Sequence, residues 1–295
     1  MSETRASITV IDPPRRKLPA KQRWAGRVQS LLLIIMALIA LVPIIAIFLG
    51  TFQDGGTLLR SGITFAIDFR SFDLDSYRVL FTDSGDYFLW FWNSLWLTAV
   101  QVVLTLLVSS FVSYGIAMYE FRGKRVVFIA VLIVMTVPFE MIMLPLYMQV
   151  NDFGLSDTFI IIFLPFIAHS MTIFFFRQYF QGVPYEIVEA GRVDGVSEFG
   201  IFFRLVLPIA KPAVAAMAIL NGMMCWNNFL WPLLVLRSSD KFILPIGLNA
   251  LLTPHGNNYD LLIVGAFFSL IPVLVLFLVF QKHFIEGMTA GAVKG

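Results

Sequence analysis

Long apolar runs alternate with shorter polar segments along most of the chain. Because the hydrocarbon core of a bilayer is about 30 Å thick, a helix needs roughly 20 apolar residues to cross it. Six runs have this length and carry few charges: residues 31–49, 90–114, 126–147, 158–176, 213–236 and 261–280. They are continuous rather than alternating, unlike the strands of a membrane barrel. The pattern therefore predicts an all-α integral membrane fold with six transmembrane helices.

The same runs divide the chain into three parts. We expect an N-terminal tail over residues 1–28, a membrane domain over residues 29–284 and a C-terminal tail over residues 285–295. Basic residues precede the first run, as in a signal peptide, but the run is 19 residues long and no small-residue cleavage site follows it. We therefore predict that this run is an uncleaved first span.

Positive charges are distributed unevenly between the two sides of the predicted bundle. With the N-terminus placed inside, the inner segments hold 16 of the 21 lysines and arginines. The first outer segment, residues 51–89, carries six aspartates instead. Because cytoplasmic loops of membrane proteins carry the excess of lysine and arginine, both termini are predicted to be cytoplasmic.

The composition supports a membrane protein and excludes several other classes. Hydrophobic residues make up 58% of the chain and charged residues 14%, and the mean hydropathy is +0.83. The net charge of +2 is small and dispersed, so nucleic-acid binding has no support. The single cysteine, Cys225, cannot form a disulfide framework. His169 is the only histidine of any span, and His255 and His283 lie on opposite sides of the membrane, so no metal site is predicted.

The longest inner loop, residues 177–212, contains the charged stretch VPYEIVEAGRVDG. Pro184 suits the first turn of a helix, where its missing N–H costs nothing. Glu186 and Glu189 would lie near the positive end of that helix. Gly195 can adopt the left-handed conformation that ends it. The loop therefore contains a predicted short helix bounded by proline and glycine.

A second short helix is predicted after the glycine turn, capped by Ser197 and stopping before Pro208. The first helix is amphipathic: an apolar side is opposed by charged positions. The apolar side holds Ile187, Val188 and Gly191, and the charged positions are Glu186, Arg192 and Asp194. Such a helix can lie flat on the lipid interface or fit a groove on a partner protein, and the pattern alone leaves both open.

The segment EAGRVDGVSEFGIFFRLVLP, residues 189–208, resembles the loop shared by the membrane subunits of bacterial binding-protein-dependent ABC importers. That loop reads Glu-Ala-Ala, three residues, Gly, nine residues, then Ile-x-Leu-Pro. The matching positions are Glu189, Ala190, Gly195, Leu207 and Pro208. Gly191 replaces the second alanine and Leu205 replaces the isoleucine. Glycine is expected to loosen the helix by about 1 kcal/mol relative to alanine.

The resemblance extends to RQYFQGVPYEI before the loop, WNNFLWPLLVL after it and the tail FIEGMTAGAVKG, which are similar to the maltose and oligosaccharide type of carbohydrate permease. It covers the chain from the first span to Gly295. It implies a type I importer bundle in which the loop is a coupling helix that docks in a cleft of a cytoplasmic ATPase. The implied coupling residues are Pro184, Glu186, Glu189, Ala190, Gly191, Asp194, Gly195, Leu205, Leu207 and Pro208. The implied tail contacts with the ATPase are Gly291, Lys294 and Gly295.

The resemblance also implies a set of partners in the bacterial inner membrane. These are a second homologous permease subunit, two copies of the ATPase, an extracytoplasmic carbohydrate-binding protein and the surrounding lipid. The sequence has no G-x-x-x-x-G-K-[ST] phosphate-binding motif. We therefore expect no catalytic site and no bound cofactor in this chain, with ATP used by the partner ATPase.

Two further groups of polar residues are candidates for function. In the fifth predicted span, amide and aromatic side chains could contact sugar hydroxyls or could form hydrogen bonds between helices. These residues are Asn221, Trp226, Asn227 and Asn228. The outer segment LTPHGNNYD is an ordinary surface loop by its composition, but the resemblance makes it a candidate docking element for the binding protein. The docking candidates are Thr253, His255, Asn257 and Asn258.

The chief alternative is a secondary transporter driven by protons or sodium, with Glu140 and His169 as coupling groups. Glu140 lies between two prolines of the third predicted span, where a local hydrogen-bonding anchor is the simpler interpretation. His169 is interpreted as a contact between helices. A membrane-bound enzyme has weak support, because the spans contain one glutamate and one histidine rather than a cluster of reactive groups. Ion coupling also leaves the charged inner loop unexplained.

Overall fold

Three long helices form the framework of the protein. The computed structural model describes residues 20–56, 74–82, 85–253 and 256–292. Helix α1 spans Ala20–Gly50, α3 spans Gly85–Met118 and α13 spans Tyr259–Ala292, and each is long and apolar enough to cross a bilayer. A short helix, α2 at Asp75–Thr82, precedes α3. The predicted first, second and sixth spans therefore lie within single helices.

The predicted third and fourth spans are wrong as single helices, because each is broken and bent. The third consists of α4, Lys124–Thr136, and α5, Phe139–Asp152, which meet at 99°. Pro138 lacks an N–H and pushes the residue before it into an extended conformation, so the helix stops at this point. The fourth consists of α6, Ile160–Phe166, and α7, Ser170–Phe180, bent by 44°.

Between α7 and α13 the chain forms short helices and one longer helix, α10 (Lys211–Trp226). The inner loop contains α8, Glu186–Val193, and α9, Glu198–Ile209. The predicted fifth span is also broken, since α10 covers Lys211–Trp226 and α11 covers Leu230–Val235. The outer segment holds a 3-10 turn at Ser239–Lys241, α12 at Leu244–Ala250, and the antiparallel two-residue strands β1, Leu252–Thr253, and β2, Gly256–Asn257.

Helix α3 lies at the centre of the described bundle and packs against α7, α10 and α12. Uncharged polar side chains repeat every four residues along one of its faces, and all are buried: Gln101, Thr105, Ser109 and Ser113. Thr105 donates a hydrogen bond of 3.0 Å to the carbonyl oxygen of Phe166, and Ser113 donates one of 2.7 Å to that of Ile173. Small polar residues allow close helix approach inside a membrane, so this face fixes the position of α7.

A network of hydrogen bonds closes the outer end of the bundle around Asp157. This residue adopts a φ of 60° at the turn between α5 and α6. Its carboxylate accepts hydrogen bonds from the backbone N–H groups of Arg237 and Ser238, from the Ser238 hydroxyl and from Lys241 Nζ at 2.5–3.1 Å. Desolvation raises the pKa of Asp157, but these hydrogen bonds outweigh it and hold the pKa well below its usual range. The turn is thereby fastened to the segment after α11.

The first prediction concerns this outer network. Replacing Asp157 by alanine removes an acceptor shared by four hydrogen bonds, so Asp157→Ala should lower the free energy of unfolding by about 1–3 kcal/mol. The measurement is the thermal melting temperature of the purified protein in detergent. Asp152→Ala is the matched control, because Asp152 is exposed and has no side-chain partner within the described ranges. An equal loss in both variants would contradict the prediction.

The same network gives a pH dependence. A depressed folded-state pKa means that the stabilisation is complete above the unfolded pKa of about 4 and is lost as the pH falls through the folded value. The difference in melting temperature between wild type and Asp157→Asn should therefore be largest near neutral pH and should shrink below a pH of about 4. A difference that grows as the pH falls would overturn this assignment.

Candidate functional site

The first helix of the inner loop ends as predicted, but it starts at Glu186 and not at Pro184. Pro184 lies just before α8, and the helix ends at a Schellman motif. In this motif Gly195 N–H donates to the Arg192 carbonyl oxygen at 3.0 Å, and Val196 N–H donates to the Gly191 carbonyl oxygen at 2.9 Å. Gly195 has a φ of 74°, which glycine adopts without a steric penalty. The predicted glycine turn is confirmed.

The second helix of the loop is capped as predicted but does not stop where predicted. The Ser197 hydroxyl accepts a hydrogen bond of 3.2 Å from the backbone N–H of Gly200. The chain then forms a π-helical segment over Ile201–Val206 and continues through Pro208 to Ile209. The expectation that the helix ends before Pro208 is wrong. The wider π-helical turn changes the hydrogen-bond register ahead of a residue that has no N–H to donate.

The apolar side of α8 is buried in a cluster that joins it to the membrane helices. Val188 has no exposed surface, and Gly191 is also buried. They pack with Ile201 and Phe202 of α9 and with the inner ends of α3 and α7. The cluster members from those two ends are Tyr114, Met118, Phe176 and Phe180. The apolar side of α8 therefore meets protein, not lipid, and the loop is packed onto the bundle as one body.

The opposite side of the loop combines carboxylates with large exposed apolar side chains. Seven of the implied coupling residues are exposed: Pro184, Glu186, Glu189, Ala190, Asp194, Gly195 and Pro208. Val193 is 87% exposed and Phe199 is 65% exposed, although each is a large apolar residue. An exposed apolar patch edged by charge is typical of a protein contact site. Sequence reasoning missed Val193 and Phe199, because neither belongs to the spaced motif.

Gly191 occupies a close approach between α8 and α9. A Cβ atom built at this residue would lie 2.9 Å from Ile201 Cγ1 and 2.9 Å from Leu205 Cδ1. The two departures from the family pattern, Gly191 and Leu205, are therefore in contact with each other. The expectation that glycine merely loosens the helix is incomplete, because here it also allows Ile201 and Leu205 to approach the α8 backbone closely.

A polar cluster crosses from the end of α3 to both loop helices. Arg192 Nε donates to Glu198 Oε1 at 2.7 Å, and Arg192 Nη1 donates to the Tyr185 hydroxyl at 2.8 Å. The Tyr119 hydroxyl donates to Glu198 Oε2. Hydrogen bonds from Arg192 and then Tyr119 lower the pKa of Glu198, so its carboxylate stays ionised. Neither the role of Tyr119 nor the pairing of Arg192 with Glu198 was predicted from the sequence.

The four candidate residues of the substrate path do not line one common site. Asn221 is buried: its Nδ2 donates to the Thr172 hydroxyl at 3.1 Å and to the Met217 carbonyl oxygen at 2.8 Å. His169 Nδ1 is 3.1 Å from the same threonine hydroxyl. Asn221 therefore joins α7 to α10, as expected of a contact between helices, whereas the His169 contact is local to the start of α7.

The remaining candidates lie at the break after α10. Trp226 is buried, donates to the Ser269 carbonyl oxygen at 3.1 Å and borders a cavity of about 230 Å³ lined almost entirely by apolar side chains. Asn227 is exposed, and its Nδ2 donates to the Met223 carbonyl oxygen at 2.8 Å. Asn228 is half-buried. Asn227 and Asn228 are thus the two amides of the set with exposed surface.

Glu140 does not form the local hydrogen bond that was expected. It lies exposed in the first turn of α5, directly after the bend, and no side-chain partner is found for it in the described part of the chain. A carboxylate is favourable there because the helix N-terminus carries partial positive charge. Across the described residues no group of three potential metal ligands is present.

The sequence profile of the family described as "Binding-protein-dependent transport system inner membrane component" matches residues 109–289. The chain belongs to this family. It is a multi-pass inner-membrane permease of an ABC importer. The matched region contains the whole inner loop and the packed ends of α3 and α7 that support it.

Full-length relatives and a solved structure resemble this permease. It is 48% identical over 260 residues to the arabinooligosaccharides transport system permease protein AraQ of Halalkalibacterium halodurans, covering 88% of this chain and 93% of the relative. The AraQ protein of Bacillus subtilis is 47% identical over 266 residues, covering 90% and 95%. The lactose transport system permease protein LacG of Rhizobium radiobacter is 34% identical over 286 residues, covering 95% and 98%.

A crystal structure of a bacterial ABC transporter involved in the import of the acidic polysaccharide alginate contains a chain that superposes on this permease with a TM-score of 0.74. The two chains are 27% identical, and the match covers 91% of this chain and 99% of the other. The fold of the permease is therefore that of an ABC importer subunit.

The permease residues expected to meet other subunits at the two ends are only partly described. In the outer loop Thr253 and Asn257 belong to β1 and β2, while His255 lies outside the described residues. Asn258 Oδ1 accepts a hydrogen bond of 3.0 Å from Leu261 N–H and so caps α13. Gly291 lies in the last turn of α13, so the expected flexible tail begins as helix, and Lys294 and Gly295 lie outside the described residues.

The close approach at Gly191 gives a prediction for the permease loop. Helix propensity alone would make Gly191→Ala stabilising by up to about 1 kcal/mol, but overpacking against Ile201 and Leu205 costs about 1–3 kcal/mol. We expect a lower melting temperature for Gly191→Ala, and part of the loss should be recovered when Leu205→Val is added. A double-mutant cycle in detergent measures this coupling.

The neighbouring exposed position supplies the control for this cycle. Ala190→Gly changes only helix propensity, so its effect on the melting temperature should be the same in the wild-type and Leu205→Val backgrounds. A higher melting temperature for Gly191→Ala than for the wild type would contradict the steric account.

Proposed function

We propose that this permease is the membrane-spanning subunit of an ATP-driven importer for oligosaccharides, and that arabinose-containing oligosaccharides are its first candidate substrates. Two relatives with 47–48% identity over about nine tenths of the chain are named as arabinooligosaccharide permeases. The more distant relatives include a lactose permease, which supports the wider class of sugars rather than a different one.

The observation that carries this proposal is the rigid, half-exposed inner loop. Its buried side joins the inner ends of α3 and α7, and its exposed side offers Val193 and Phe199 beside carboxylates. Large apolar side chains surrounded by polar groups are the usual anchors of protein interfaces. A cytoplasmic ATPase seated on this surface would move the loop and the attached membrane helices together. The carboxylates of Glu186, Glu189 and Asp194 favour a partner surface with basic groups.

The rest of the assembly follows from the same role. A second homologous permease would complete the pathway, two ATPase copies would bind the two inner loops, and an extracytoplasmic carbohydrate-binding protein would deliver the sugar. Both termini would be cytoplasmic, which agrees with the excess of lysine and arginine in the inner segments. In this arrangement ATP is hydrolysed by the partner ATPase.

The sugar path of the proposed importer would include the break after α10. Sugars need hydrogen-bonding groups together with apolar contact surface. Asn227 presents an exposed amide at this break, and Asn228 lies beside it. The apolar cavity next to Trp226 lacks the polar groups that an oligosaccharide would need. We therefore assign the contact to Asn227 and Asn228 and a packing role to Asn221 and Trp226.

The inner loop is tested by uptake of labelled arabinotriose into cells that depend on this permease. Val193→Asp and Glu189→Lys should each reduce uptake at least about tenfold, because a charge of the wrong kind is placed in the interface core. Immunoblots of membranes check that the variants accumulate. Phe121→Asp is the control, since Phe121 is also a partly exposed apolar residue but lies in the turn between α3 and α4, outside the loop. Normal uptake by both loop variants would overturn the coupling role.

The sugar path is tested by separating uptake from stability. Asn227→Ala should raise the KM for arabinotriose uptake or lower its maximal rate while the melting temperature stays unchanged. Asn221→Ala should instead lower the melting temperature, because it removes an interhelical hydrogen bond worth about 0.6–1.7 kcal/mol. If Asn227→Ala leaves uptake intact and Asn221→Ala alone reduces it at normal stability, the assignments of the two residues are reversed.

A further inference from the structure

Four side chains form a polar bracket between the inner loop and α3. We define the bracket as Tyr119, Tyr185, Arg192 and Glu198. Tyr119 follows the last residue of α3, Tyr185 precedes α8, Arg192 lies in the last turn of α8, and Glu198 begins α9. The bracket therefore joins three elements of the protein, and its Tyr119 also packs against the apolar cluster beneath α8.

The Glu198 carboxylate is the centre of the bracket, and both of its oxygens accept hydrogen bonds from protein groups. Oε1 accepts from Arg192 Nε at 2.7 Å, and Oε2 accepts from the Tyr119 hydroxyl and from Arg192 Nη2 at 3.4 Å. The Arg192 guanidinium carbon lies 5.7 Å from the centre of the Tyr119 ring and 5.8 Å from that of Tyr185. Arg192 is thus held between two aromatic rings while it binds the carboxylate.

Water still reaches this ion pair in the isolated chain. The Arg192 side chain is 36% exposed and that of Glu198 is 48% exposed. An ion pair in contact with water contributes little to stability. Its electrostatic interaction strengthens when the surrounding dielectric constant falls. Because Glu198 already has protein donors on both oxygens, covering it with another protein would cost less desolvation free energy than covering an unpaired carboxylate.

A partner that covers the exposed apolar residues of the loop would also cover the bracket. Val193 is adjacent to Arg192 in the chain, and Phe199 is adjacent to Glu198. Phe199 also stacks on Phe111 of α3 with 5.6 Å between ring centres. The two most exposed apolar side chains of the loop are therefore the chain neighbours of the two members of the ion pair.

The apolar cluster beneath α8 does not by itself fix the rotation of that helix about its axis. Hydrophobic contacts hold Val188 and Gly191 against α9 but are not directional. The hydrogen bonds of Arg192 and Glu198 have defined angles and lie on the other edge of α8, so they oppose rotation of that helix about its buried side.

We propose that the bracket is a docking-sensitive latch that tightens when an ATPase subunit seats on Val193 and Phe199, so that α8 and α9 then move with α3. The proposal rests on the proposed function and adds Tyr119, Arg192 and Glu198 to it as positioning residues for energy coupling. Each acts through the orientation of the loop and not through contact with the transported solute.

The test uses the intact transporter, isolated from host membranes through an affinity tag on this chain and reconstituted in lipid nanodiscs. Three quantities are measured: the amount of ATPase that co-purifies, basal ATP hydrolysis, and the stimulation of hydrolysis by arabinotriose with its binding protein. For Arg192→Gln and Glu198→Gln we expect normal co-purification and basal hydrolysis but a roughly five- to tenfold loss of stimulation. Tyr119→Phe, which removes only the hydroxyl group, should show a smaller loss in the same direction.

Rescue and control variants distinguish a latch from a structural role. The double variant Arg192→Glu with Glu198→Arg should recover more stimulation than either single charge reversal. Glu120→Gln is the matched control, because the neighbouring Glu120 forms an exposed ion pair of 2.7 Å with Lys124 outside the bracket. Normal stimulation in the control, together with loss and rescue in the bracket variants, is the result that supports the latch.

Three results would overturn the latch. One is unchanged stimulation in both Gln variants. Another is loss of ATPase co-purification in step with stimulation, since the residues would then be plain docking contacts. The third is an equal loss in Glu120→Gln. Failure of the proposed function gives a different result from failure of the latch, because the wild-type chain itself would then co-purify no ATPase. That result would also exclude the latch.

Discussion

The arrangement of this permease depends on the close packing of α3 against α7. A membrane offers no water to satisfy polar groups, so two buried hydroxyl groups of α3 donate to carbonyl oxygens of α6 and α7. Thr105 and Ser113 donate to the Phe166 and Ile173 carbonyl oxygens, on either side of the bend between α6 and α7. This pairing brings the inner ends of α3 and α7 together, and only then can Phe176, Phe180 and Tyr114 form the surface on which the loop packs.

The inner loop is accordingly a rigid extension of the membrane bundle. Two different interactions hold it: an apolar cluster on its buried side and a set of charge-assisted hydrogen bonds along its edge. Its exposed surface is small and mixed in character, with apolar side chains placed beside carboxylates. A connection of this kind offers a route by which a displacement of the loop can reach the ends of α3 and α7.

The span pattern, the glycine turn and the cap at Ser197 could be predicted from the sequence, because each depends on local composition or on a residue with a special backbone preference. The bend at Pro138 was larger than the pattern indicated, since hydropathy records how apolar a run is but not its direction. The pairing of Arg192 with Glu198 and the contribution of Tyr119 could not be predicted, because Tyr119 and Glu198 are 79 positions apart and meet only through tertiary packing. Asn221 was ambiguous for a related reason: its hydrogen bond to Thr172 requires the placement of α7 against α10.

The contact between Gly191 and Leu205 has a consequence for chimeric transporters. Each residue departs from the family pattern, and Leu205 lies within 2.9 Å of the position that the Cβ of an alanine at 191 would take. Exchange of α8 alone with a relative that has alanine at the matching position would bring a methyl group against Leu205. A graft that carries both helices keeps the complementary pair. The smallest transferable unit of this loop is therefore the helix pair.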